Sequence, residues 1–167
     1  MKKYSITKYF RNEKQKEEWT SISDIGKVYD GMELDTKEYK RVEDAYVNAI
    51  LEIVQYMNID TVRIKDVFRW KDLKKEVASD VSKQELYGNS ILSTYEYLND
   101  DSIITISDLD NIIRLELRED IGGLLYASDH LKIFIGDDFM MGVHSSVSLE
   151  PLFERIKSLG LKIYQFL

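Results

Sequence analysis

Apolar residues recur at steps of three and four through Val42, Ala45, Tyr46, Ala49, Ile50, Ile53, Val54 and Met57. Lys40, Glu43, Asp44, Asn48, Glu52 and Gln55 take the opposite positions. That period is a helix with one face toward a core and the other toward water. Asp35 stands where an N-cap belongs, with Glu38 placed to reach back to it. Trp19, Ile22, Ile25, Val28 and Tyr29 also fall at helical spacings. With Ser21 or Ser23 as cap, Asp24 in the first turn and Gly31 as stop, residues 19–31 read as a shorter helix. Leu109, Ile112, Ile113, Leu115 and Leu117 predict a helix over 108–120, capped by Ser107 and ended by Gly122-Gly123. A last helix is expected over 149–158, with Ser148 or Ser146 as cap, Pro151 in its first turn and Gly160 ending it.

Between these the period falls to two. Val62 and Ile64 alternate with Arg63 and Lys65, a strand over 60–68. Residues 124–128, 131–136 and 139–144 read as strands of an antiparallel meander, with turns at Ser128-Asp129-His130 and Gly136-Asp137-Asp138. Residues 161–166 return as a strand, and 102–105 form a short one. The β-branched and aromatic residues of 91–98 predict another, which sends Tyr95 and Tyr97 to one face and Glu96 to the other. Tyr4, Ile6, Tyr9 and Phe10 suit an opening strand or covering arm, 11–18 a solvated connector, and 70–80 a short charged helix. The expected fold is α+β: one domain over 1–167, with helices packed on a mainly antiparallel sheet and a C-terminal meander followed by helix and strand. One proline and few glycines leave no linker to divide it. Strand order is not legible.

Composition narrows the chemistry. With no cysteine, disulfides and thiolate metal sites are excluded. The start of the chain lacks a signal-peptide apolar region, and no window is long enough to span a membrane, so a cytoplasmic protein is expected. The net charge of −7 argues against direct nucleic-acid binding and suits a basic partner such as a nuclease. The plainer reading of that charge is solubility.

The two histidines, His130 and His144, lie in the meander with Asp129, Asp137 and Asp138, but at no compact metal-ligand spacing. Turn aspartates are explained by local hydrogen bonding. Acidic doublets at Asp100-Asp101, Glu119-Asp120 and Asp137-Asp138 read first as solvated surface. Arg114 and Arg118 share a helix face, with Asp110 and Glu119 near enough to pair. No phosphate-binding glycine loop, HExxH or GxSxG is present.

The segments WTSISDIGKVYDG (19–31), EYKRVEDAYVNAILEIVQYM (38–57), IIRLELRED (112–120), LKIFIGDDFMMGV (131–143) and LGLKIYQFL (159–167) occur in this order. Together they resemble the bacterial immunity proteins that neutralise ribonuclease toxins of contact-dependent growth inhibition and related polymorphic-toxin systems. Members of that family are usually richer in tyrosine where this chain has 139–142. The resemblance implies a non-enzymatic inhibitor without cofactor or metal. It would bind a cognate nuclease toxin and occlude its active or substrate-binding surface. Charge and chemistry put the toxin-binding face at Tyr126, Asp129, Asp137 and Asp138, and secondarily at Glu33, Asp35, Tyr95 and Glu96. The alternatives are a small metal-dependent hydrolase using His130, His144 and nearby aspartates, or a generic interaction subunit.

Overall fold

The structure, a computed structural model, describes residues 1–9 and 18–166. Phe10 and residues 11–17 of the connector expected over 11–18 lie outside them. Seven strands pair antiparallel throughout: β1 (Lys2–Thr7), β4 (Thr61–Arg69), β5 (Ile103–Thr105), β6 (Ile121–Ala127), β7 (Leu131–Gly136), β8 (Met140–Ser145) and β9 (Lys162–Phe166). Their order is β5-β4-β6-β7-β8-β1-β9. The meander is the centre, and the opening strand inserts between β8 and the last strand. Tyr4, Ile6, Val62, Ile64, Leu125, Leu131, Ile133, Met141 and Val143 point inward and are buried. The alternate residues point to a face that carries no helix.

The buried face is covered by α1 (Thr36–Tyr56) and α5 (Ile106–Leu117). The helices α2 (Leu73–Ser79), α3 (Val81–Gln84), α4 (Asn89–Tyr97) and α6 (Phe153–Ser158) complete the layer. This is the expected α+β arrangement of helices on an antiparallel sheet. Among the described residues, no helix is long and apolar enough to cross a membrane. Asp35 caps α1 by accepting the Glu38 N–H at 2.7 Å. Glu38 does not reach back; its carboxylate grips Arg41 at 2.7 Å instead.

Four expectations are corrected. Residues 19–31 form no helix: a single 3₁₀ turn, Ile22–Asp24, gives way to a hairpin of β2 (Val28–Tyr29) and β3 (Met32–Glu33). Asp30-Gly31 drives it, since both take positive φ, as a tight hairpin turn needs. Ser21 is the cap, and Asp24 accepts from the Thr20 and Ser21 amides. Residues 91–98 lie mostly within α4, because Ile91, Tyr95 and Leu98 are apolar at helical spacing and all are buried against the helix layer. Tertiary burial overrides their strand propensity. Gly122 and Gly123 do not end α5; they lie inside β6, where a Cβ on Gly122 would collide with the Phe68 ring and one on Gly123 would come within 2.8 Å of Ile64. The last helix is shortened by a 3₁₀ turn, Glu150–Leu152, that contains Pro151.

Candidate functional site

The β7–β8 turn combines exposure with a constrained backbone. Asp138 and Phe139 take φ of 60° and 58° in succession, a conformation that costs a non-glycine residue about 1–3 kcal/mol. The core holds it there. The Phe139 ring is buried against Trp19 at 5.1 Å, Tyr46 at 5.6 Å and Tyr39 at 6.1 Å. Its carbonyl accepts the Tyr46 hydroxyl at 2.6 Å, and that hydroxyl oxygen accepts the Lys8 N–H at 2.8 Å. Lys8 lies 3.8 Å from the centre of the Trp19 ring, and burial pushes its ammonium down to about 8 against the opposing pull of Glu18. With Phe139 plugged into this cage, Asp137 and Asp138 are turned out to solvent.

A third carboxylate joins them from elsewhere in the chain. Glu119, at the α5–β6 connection, also has positive φ, 58°. Its carboxyl is pushed above the ordinary range, first by loss of hydration and then by the charges of Asp137 and Asp138. Next to it Asp120 is buried, accepts the Tyr87 hydroxyl at 2.6 Å and forms an ion pair with Lys71 at 2.9 Å. Burial pushes the Asp120 carboxyl up against the pull of both partners. Tyr39, one turn into α1, packs on Phe139, which brings the start of α1 with its Asp35 cap toward this turn, and the hairpin carrying Glu33 leads directly into that helix. That hairpin exposes two apolar side chains, Val28 at 66% and Met32 at 75%. A cleft of about 430 Å³ runs beside it, lined in part by Ile25, Thr36, Lys83 and Glu119.

The helix layer also holds a buried ion cluster. Glu43, placed on the solvent side of α1 by its spacing, is 0% exposed. It accepts two bonds from Arg118, at 2.6 and 2.7 Å, and one from Arg114 at 2.7 Å. Arg114 also holds Asp110 at 2.6 Å and Asp44 at 2.8 Å. Arg118, 2% exposed, donates to the Leu86 carbonyl at 2.7 Å and sits 4.7 Å from the Tyr87 ring. The expected Arg114–Asp110 pair is present, whereas Arg118 turns to Glu43 rather than Glu119. Carboxylates neutralise both guanidinium groups, so the cluster joins α1 to α5 and is not an anion site. One buried acid stands apart: both Glu116 oxygens lack a partner among the described residues, and burial pushes this carboxyl well above the ordinary range.

The remaining predicted residues do not converge here. Tyr126 lies on the open face of β6, where its hydroxyl donates to Asp101 at 3.0 Å. Asp129 is in the β6–β7 turn, at the far end of a six-residue strand from Asp137, about 20 Å away. Tyr95 is buried, donates to the Lys71 carbonyl and packs on Arg69, so it offers nothing to a partner; Tyr97 alone is exposed. Glu96 is exposed and pairs with Lys74 at 3.0 Å. His144 faces the open side between Lys3 and Lys132 in the strand register, and His130 is exposed in the turn that holds Asp129. Burial and then those two lysines push His144 below its ordinary value. Asp137 and Asp138 lie at the other end of β7, and among the described residues no three His, Asp or Glu side chains are grouped to hold a metal ion. Glu119 and Glu43 are what sequence reasoning missed. For Glu119 the only signal was its place in an acidic doublet after a helix; for Glu43 there was none.

No protein-family model, no curated protein and no solved structure matches the chain.

Proposed function

We propose that the chain is an immunity protein that acts in the cytoplasm by binding a cognate nuclease toxin, a ribonuclease by the resemblance above, and occluding its active or substrate-binding surface. The carrying observation is the pair Asp137 and Asp138, turned out to solvent by left-handed backbone anchored through Phe139, with Glu119 close enough from the α5–β6 connection for their charges to raise its carboxyl. Like charges fixed in the free protein repel, and a cationic surface relieves that repulsion on contact. The geometry is already set, so little ordering entropy is lost on binding. Val28 and Met32, on the hairpin that also carries Glu33, supply exposed apolar area of the kind an interface centre desolvates. A nuclease, whose substrate is a polyanion, presents the complementary charge.

This reading narrows the binding face to Asp137, Asp138 and Glu119, with Glu33 and Asp35 flanking. Tyr126, Asp129, Tyr95 and Glu96 drop out. The test is co-expression with the C-terminal domain of whatever toxin is encoded immediately upstream. Rescue of growth with a stable purified complex, both weakened by Asp137→Lys/Asp138→Lys, is the expected result. Absence of both rescue and complex refutes the reading.

A further inference from the structure

The sheet face opposite the helices has a charge pattern that the net value of −7 conceals. Strand register puts Arg63, Tyr126, Lys132, His144 and Lys3 in one continuous row across β4, β6, β7, β8 and β1. At about 4.8 Å per strand, Arg63, Lys132 and Lys3 stand roughly 10 Å apart, with an aromatic ring between the first two. Lys65, one pleat along β4, adds a further cation 5.9 Å from the Tyr126 ring centre. Among the described residues, Lys3, Arg63, Lys65 and Lys132 form no ion pair, whereas Arg41, Arg114, Arg118 and Arg155 of the helix layer each hold a carboxylate. Among the described residues, Asp101 meets this side at its β4–β5 border: its carboxylate accepts the Tyr126 hydroxyl at 3.0 Å and its carbonyl accepts a guanidinium N–H of Arg63 at 3.3 Å. Phe134, beside the row, lies across Gly142, where a Cβ would collide with the ring; it is 42% exposed and meets His144 edge-on at 5.5 Å.

A ring laid over a glycine shields that strand, which is a structural role, but it leaves the outer π-face open to a stacking partner. Cations at regular intervals without a carboxylate partner, with the half-buried Tyr126 ring and the exposed Phe134 ring among them, match a chain of phosphates carrying splayed bases better than a second copy of this protein, whose identical face would repel. The acidic pole lies around the helix layer and the strand ends, and a Debye length of about 8–10 Å screens it from this face. We propose that the open sheet face binds single-stranded nucleic acid, with phosphates on Lys3, Arg63 and Lys132 and bases stacked on Tyr126 and Phe134. It is a separate surface from the toxin-binding pole and stands without it.

The test is fluorescence anisotropy of the full chain with labelled oligouridylate and oligothymidylate of about 12 nucleotides across a salt series. Both are expected to bind within a few-fold of each other, because no residue in the row is placed to select a 2′-hydroxyl. With three phosphates contacted, log K should fall with log salt at a slope of about −2. Arg63→Gln/Lys132→Gln should weaken binding and flatten that slope to about −0.7. Phe134→Ala should cost about 5- to 100-fold in affinity and leave the slope unchanged. Lys74→Gln, on the helix layer, should change neither. All these substitutions are at exposed or half-buried side chains, and circular dichroism confirms folding of each. No binding at low salt, binding that survives the Arg63/Lys132 variant, or equal binding of a duplex would overturn the proposal. Competition by polyglutamate that Phe134→Ala does not affect would also overturn it, in favour of an acidic protein.

Discussion

Glu43 and Arg118 are both sealed from water, and their pairing is the interaction most open to a quantitative test. Glu43→Leu leaves the Arg118 guanidinium buried with the Leu86 carbonyl and the Tyr87 ring as its partners among the described residues. An uncompensated buried charge of this kind costs about 3–5 kcal/mol. Arg118→Met is milder, because Arg114 still donates to Glu43 at 2.7 Å; losing the bidentate contact costs about 3 kcal/mol. The double variant Glu43→Leu/Arg118→Met leaves no sealed charge unmatched. Arg114 keeps Asp110 and Asp44, so the expected loss falls to about 0–2 kcal/mol. Urea denaturation reads all three, and with a slope of about 2 kcal/mol per molar, a loss of 4 kcal/mol moves the midpoint by about 2 M. The three values should give a coupling energy of about 4 kcal/mol or more. Additive losses, or single variants within about 1 kcal/mol of the parent, would refute the claim that these residues form one buried unit.

Glu116 should couple stability to pH. Its carboxyl is pushed up, so the native state keeps a proton that the unfolded chain loses above about pH 4.3. Stability from this group is therefore full below that pH and falls as pH rises through the raised native value. Glu116→Gln should remove this dependence and Glu116→Leu should stabilise most at pH 7–8; a variant-minus-parent difference equal at pH 5 and pH 8 refutes it. Asp138→Gly, at φ 60°, should hold or raise stability by up to about 1 kcal/mol while weakening toxin binding, read by thermal melts and titration. Asp137→Ala/Asp138→Ala should slow toxin association and reduce its salt dependence. In the free protein the same variant should let the Glu119 carboxyl fall toward its ordinary value by NMR titration. If affinity, salt dependence and the Glu119 titration all stay put, these acids neither sense one another nor meet the toxin.

What proved legible was whatever depends on near neighbours. The 3.6-residue period of 42–57, the alternation of 61–65 and the turn residues of the meander each concern side chains a few positions apart, and each reappears in α1, β4 and β6–β8. The misreadings arose where local preference and distant burial disagree. Ile91, Tyr95 and Leu98 favour strand by type, yet their burial against the helix layer makes them one face of a helix. Asp30-Gly31 carried a hairpin signal that the apolar spacing of Trp19 to Tyr29 masked.

The sequence by itself determined the α+β class, the long helix, the meander and the fact that Asp137 and Asp138 occupy a turn. Only the tertiary structure decided what those carboxylates face. Glu43 lies in an exposed pattern along α1 but meets Arg118, 75 positions away, and so becomes the most buried acid of the helix layer. Glu119 gains its charged neighbours because α5 ends beside the β7–β8 turn, and the row from Arg63 to Lys3 exists only because the first strand inserts next to β8. Helical period and turn chemistry act over a few residues, so a pattern records them. Electrostatic environment acts through space, and the residues that supply it come together only when the chain has folded.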